Sequence, residues 1–207
     1  MASLVLLVGG VAGCASSAAP QRTAPASQRV LPTNDALPAS LRATPQEVLQ
    51  DTLSAVGETT YDCRSDGARL VWTPTGSDAT LVDLARRSVG TVAPGPVFTA
   101  YDGSRFAGTV AGEEIMTAGA LTWQRIVPSK RGEAPRAHGR FADVTSVQRV
   151  LTTGGIPPVA SCFQVGQSLF VPYTATYLFY RAARATGSPT ALAMPSAMNA
   201  PLRSSTP

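Results

Sequence analysis

The chain has 207 residues, 44% of them hydrophobic and only 14% charged, with 18 Gly, 17 Pro and 3 Cys. That composition excludes a disordered chain, which would be poor in apolar residues and rich in charge, and no apolar run approaches the roughly 18 residues of a membrane-spanning helix. Lys and Arg outnumber Asp and Glu by 17 to 13, and the excess is local: Arg125, Lys130, Arg131, Arg136, Arg140 and Arg149 face only Glu133 and Asp143 in the same stretch. No helix-turn-helix, zinc-finger or aromatic-basic signature accompanies these cations, so no nucleic-acid partner is expected and a solvated loop is the simpler account.

Residues 1–13 read MASLVLLVGGVAG, an apolar block followed by small residues, and Cys14 comes next. Val11-Ala12-Gly13-Cys14 resembles the bacterial lipobox, in which small residues let a peptidase reach the bond before a cysteine that carries a diacylglyceryl group. The resemblance implies a lipoprotein signal peptide over 1–13, lipidation of Cys14 and a membrane as partner, since two or more acyl chains give stable attachment. The competing account is a short buried strand with a core cysteine. Ala15, where an Asp would mark inner-membrane retention, favours the outer membrane facing the periplasm in a Gram-negative cell. Residues 14–43 are rich in Ala, Ser and Pro and are expected to form a tether. A β domain is expected over 44–184 and a disordered tail over 185–207.

At 44–47 the sequence Thr-Pro-Gln-Glu is a capping box with Pro at the first helical position, which predicts one short helix; strand-like chain through this region is the alternative. From there on the pattern has period two, with strand-like runs at 68–72, 79–84, 96–101, 105–110, 121–127, 144–150 and 173–180. Asp102-Gly103-Ser104 supplies tight-turn chemistry, so the runs on either side of it should pair as a hairpin. Seven short antiparallel strands point to a mainly β fold, a sandwich or open barrel. With Cys14 assigned to lipid, Cys63 and Cys162 remain as an even pair in an exported chain, and a disulfide between them is expected. Neither a metal nor a cofactor is expected: the cysteines are isolated and His138 is the only histidine.

Tyr61-Asp-Cys63, Trp72, Gly95-Pro96, Asp102-Gly-Ser104, Gln148-Arg-Val150 with Thr153-Gly-Gly155, Pro158, Cys162 and the run from Tyr173 to Tyr180 occur in one order. Together they resemble domain-of-unknown-function family 3455, secreted bacterial and fungal proteins with the pattern YxC, W, GP, DGS, QRVxTxGGxxP, C, YxAxYxFY. Some fungal relatives carry a malate dehydrogenase label, but this chain lacks the G-x-G-x-x-G that dinucleotide binding through a βαβ unit requires. The His and Trp that flank Gly-Pro in the pattern correspond here to Val92 and Phe98, so histidine chemistry tied to that place is absent.

No G-x-S-x-G presents a serine, and His138 lies in a basic loop-like segment, where an exposed role is expected. Glu113 and Glu114 are adjacent, so on a strand they face opposite sides and make a poor dyad. The candidate site residues are Asp102, Arg105, Gln148, Arg149, Tyr173 and Tyr177, each open to a ligand role or a structural one. Asp102 is expected to hold its turn, and Arg149 to pair with Asp102 or Asp62 or else bind an anion. Tyr173, Tyr177 and Phe179 share one strand face, as a core stripe or a platform for sugar rings. These features favour a non-catalytic envelope domain that binds an extracytoplasmic ligand or an envelope protein, or that supports the envelope. The alternatives are a hydrolase or lyase using two convergent carboxylates and a protein attachment module built on the basic stretch 125–140.

Overall fold

The computed structural model describes residues 30–129 and 138–184. The proposed signal peptide, Cys14, the first half of the tether and the C-terminal tail lie outside the described residues. The domain is a meander of eight antiparallel strands: β1 (Glu47–Asp66), β2 (Arg69–Val82), β3 (Ser88–Ala93), β4 (Val97–Ala100), β5 (Arg105–Glu114), β6 (Trp123–Pro128), β7 (Val144–Gly154) and β8 (Ser168–Ala182). The mainly antiparallel β expectation holds, and the sheet goes further by closing into a barrel. β8 returns to pair with β1 from Glu47↔Ala182 to Asp62↔Ser168.

β3 lies in no expected run, and β1 follows the strand-like alternative to the helix. β1 occupies the place of the expected helix, and the capping-box contact forms without one: the Thr44 N–H donates to Glu47 Oε2 at 2.7 Å. A single turn of helix offers few hydrogen bonds, whereas the extended chain pairs with both β8 and β2. The runs at 68–72 and 79–84 belong to one strand, β2, which passes a register shift opposite Thr60 and Tyr61.

Period-two alternation fills the barrel. Phe98, Phe106, Phe141, Phe179 and Tyr177 meet inside, with Phe98 stacked on Phe106 and Phe141 stacked on Phe179 at 4.8 Å, and Phe98 edge-on to the Phe141, Tyr177 and Phe179 rings. These rings fill the end of the barrel that carries the β2–β3 and β4–β5 turns and the β6–β7 connection, called here the lower end. The β3–β4, β5–β6 and β7–β8 connections form the upper end.

Residues 33–43, assigned to the tether on composition, form a strap containing two short 3-10 turns, Asn34–Ala36 and Ala39–Leu41. Leu37, Leu41 and Ala43 pack with Trp123, Val150, Leu178 and Tyr180 on the outside of β6, β7 and β8. This explains why β8 carries large apolar groups on both faces: one row faces the barrel interior and the other the strap.

Glu47 ties the start of β1 to its neighbours. Its carboxylate accepts from the Thr145 hydroxyl at 2.6 Å and lies 3.5 Å from the Arg125 guanidinium. Burial alone would raise its pKa, but the Thr145 and Thr44 hydrogen bonds win and bring it from 4.5 to about 2. A carboxyl depressed on folding contributes stability that is present in full above pH 4.5 and lost as the pH falls through 4.5 toward 2. With solvent screening discounted, the contribution is about 2 kcal/mol. Glu47→Gln should therefore lower stability at pH 7 by about that amount and narrow to little difference near pH 2, read from urea unfolding at both pH values.

Candidate functional site

The six candidate residues separate into three places. Asp102 and Arg105 lie at the lower end. Asp102 Oδ1 accepts from the Ser104 N–H at 2.9 Å and the Ser104 hydroxyl at 2.6 Å, and its Oδ2 accepts from the Arg140 N–H at 2.6 Å. The Ser104 hydroxyl and N–H, then Arg140, hold the Asp102 carboxyl below the usual carboxylate range. Ser104 Oγ in turn accepts from the Phe141 N–H at 3.1 Å. The Asp-Gly-Ser turn thus joins β4 to β5 as expected and grips the chain that delivers Phe141 to the barrel interior. Gly139 permits this approach: at φ +111° a Cβ there would sit 2.6 Å from Ser104 Cβ. Arg105 is exposed at the start of β5 and takes no part in the clamp.

Gln148 is fully buried on the outer face of β7, where it fastens the strap. Its Nε2 donates to Asn34 Oδ1 at 2.9 Å and to the Leu41 carbonyl at 2.8 Å, while its Oε1 accepts from the Tyr180 hydroxyl at 2.9 Å. Its role is structural.

Arg149, Tyr173 and Tyr177 turn to the other face of the wall and come together inside the upper half of the barrel. Arg149 pairs in register with Gln124 on β6 and Tyr177 on β8. It bonds neither Asp102 nor Asp62. Asp62 instead accepts from the Ser168 hydroxyl at 3.1 Å, and Arg149 donates through Nε and Nη2 to the Thr122 carbonyl at 3.3 and 3.0 Å. A cavity of about 210 Å³ lies between these groups and the Pro94-Gly95-Pro96 turn. Its polar wall is Thr59, Ser77, Gln124, Arg149 and Tyr177, and its apolar wall includes Val92, Val110 and Ile126. The Thr59 and Ser77 hydroxyls sit 3.0 Å apart across β1 and β2. Tyr173 is 2% exposed, and its hydroxyl lies beside Tyr177. Burial first, and then the neighbouring Tyr177, push the Tyr173 hydroxyl up in pKa, so it stays protonated as a donor.

The carboxylates do not converge on this cavity. Glu113 accepts from Gln124 Nε2 at 3.2 Å and Glu114 from the Ser40 hydroxyl at 2.6 Å, both at exposed sites. Glu58 and Asp78 are cross-strand partners lining a crease of about 520 Å³ outside β1 and β2, and both are exposed. A carboxyl acting as general acid needs a desolvated setting, which that crease does not supply. His138 is exposed, as expected. The basic stretch is dispersed: Arg125 pairs with Glu47, Arg140 with Asp51, and Arg149 is internal. Lys130, Arg131 and Arg136 lie outside the described residues.

Cys63 and Cys162 form the expected disulfide, with a Cα–Cα distance of 5.8 Å. The bridge holds the β7–β8 connection against the far end of the β1–β2 hairpin. There the Cys162 N–H donates to the Leu70 carbonyl at 3.1 Å and the Trp72 N–H to the Ala160 carbonyl at 3.1 Å. Val92 and Phe98 are register partners on β3 and β4, and both side chains are buried in the barrel core.

A family model described as a protein of unknown function, DUF3455, matches residues 44–181, and the chain belongs to that family. No curated protein and no solved structure matches the chain.

Proposed function

We propose that this member of the DUF3455 family is a non-catalytic binding domain that works outside the cytoplasm, held to a membrane through lipid on Cys14 and receiving a small ligand in its upper cavity. The observation that carries this reading is the contrast between the two halves of one barrel interior. Eight strands enclose a space just wide enough to be filled by side chains or to hold one small ligand. Five aromatic rings fill the lower half, whereas the upper half, beside Leu121 and Tyr173, leaves a cavity of about 210 Å³ lined by Arg149, Gln124, Tyr177 and two hydroxyls. The Cys63–Cys162 bridge supports an oxidising compartment, in keeping with export. The hydrolase reading has less support because, among the described residues, no two carboxylates share the cavity. The attachment reading has less because Arg125 and Arg140 are engaged within the domain.

The test takes the protein from its native membrane fraction. Cys14→Ser should move it to the soluble envelope fraction, and denaturing the extracted wild-type protein should release a small molecule detectable by mass spectrometry. Unchanged partitioning would remove the anchor. A cavity that yields no small molecule, in a protein found to turn over an envelope polymer, would remove the binding role.

A further inference from the structure

Five arginines of the barrel make contacts that can be compared. Arg64, Arg87, Arg125 and Arg140 each lie in an ion pair, with Asp62, Asp83, Glu47 and Asp51 respectively. Arg149 is the most enclosed, only 8% exposed, and it has no carboxylate partner among the described residues. Its hydrogen bonds go to a single backbone carbonyl, Thr122, and its Nη1 group donates to no protein acceptor among the described residues. A carbonyl dipole offsets part of the cost of burying a guanidinium but supplies no opposite charge.

Building on the binding role proposed above, we infer that the upper cavity takes a small organic acid, held by its carboxylate on Arg149. Three features define the ligand. Among the described residues no Asp, Glu or Lys lines the cavity, so Arg149 is the one charged side chain of that lining and calls for one negative charge. The guanidinium presents parallel N–H donors that match a carboxylate, and behind the cavity wall the Tyr173 hydroxyl lies close enough to Arg149 and Tyr177 to interact with both. The volume of about 210 Å³ is below the 300–1,000 Å³ usual for drug-sized ligands, and Val92, Val110 and Ile126 provide apolar cover for a body of a few carbons.

The test titrates the full-length, detergent-solubilised protein with butanoate, with butanamide as its uncharged counterpart, and with inorganic phosphate. Binding is read from backbone amide shifts at Thr59, Gln124 and Arg149. Butanoate should shift these amides and bind at least ten-fold more tightly than butanamide. Arg149→Gln should weaken butanoate at least ten-fold. Because Arg149 also braces Thr122, a second variant keeps it in place: Gln124→Glu adds a negative charge to the lining and should weaken butanoate at least ten-fold more than it weakens butanamide. Equal binding of butanoate and butanamide, butanoate binding indifferent to both variants, or phosphate binding to the exclusion of butanoate would each overturn the organic-acid assignment. So would no shift with any probe. A neutral molecule released from the membrane-extracted protein would remove the anion while leaving the binding role standing, which separates the two failures.

Discussion

Phe98→Ala should cost the domain about 3–5 kcal/mol, the range for emptying an aromatic site in a packed core. Phe98 is fully buried and touches four other rings, with centroid separations of 4.8 Å to Phe106, 5.6 Å to Tyr177, 5.6 Å to Phe179 and 6.3 Å to Phe141. Its neighbours come from β5, β8 and the Phe141 segment, so no one of them can fill the void without leaving its own strand register. Domains of this size lose roughly 2–4 °C in Tm per kcal/mol, so a fall of about 10 °C is expected by calorimetry. Since whole-domain stability is typically about 5–15 kcal/mol, the variant should approach the unfolding threshold. Phe98→Leu should recover more than half of the loss. A loss under about 1 kcal/mol for Phe98→Ala would mean that the ring cluster does not hold the lower end.

The second large effect belongs to the disulfide. Cys63 and Cys162 are 99 residues apart in sequence, and closing a loop of that size restricts the unfolded chain by about 4–5 kcal/mol on the entropy model. The double variant Cys63→Ala, Cys162→Ala should therefore lose about 3–5 kcal/mol, and wild-type protein under a strong reductant should fall to nearly the same midpoint in urea. If the reduced wild type keeps its oxidised midpoint, the bridge contributes nothing to the fold. The two losses should add to within about half a kcal/mol, because the ring cluster and the bridge lie at opposite ends of the barrel and share no contacts.

Where local chemistry decided the structure, the sequence was legible. Asp102-Gly103-Ser104 makes its turn with its own side chains, the even pair Cys63 and Cys162 found each other, and alternation along β8 placed Tyr173, Tyr177 and Phe179 on one face. Where distant chain decided it, the sequence was silent. At Thr44–Glu47 the side-chain contact of a helix start is present, but pairing with β8, more than a hundred residues away, sets the backbone. In the strap, an Ala- and Pro-rich composition hid Leu37 and Leu41, whose burial depends on an apolar stripe supplied by β7 and β8. The same applies to the site. Gln148 and Arg149 are neighbours in sequence and both were candidates, yet one pins the strap and the other faces the cavity, a difference that follows only from which side of β7 became the interior. Phe141 went unnoticed because it lies in no strand-like run; the Asp102 clamp carries it inward.

The β1–β2 hairpin rises beyond the part of the barrel that β3 covers: β2 meets β3 only from Ala79 onward, so its earlier residues have β1 on one side alone. Pro74 interrupts that flank, and the stretch around Ala160 and Cys162 occupies the donors and acceptors at Leu70 and Trp72. Cutting the sulfur link frees that cover to swing away and leaves a ready template for foreign backbone. Prolonged reduction should therefore bring turbidity and thioflavin-positive fibrils at concentrations where the oxidised molecule stays monodisperse.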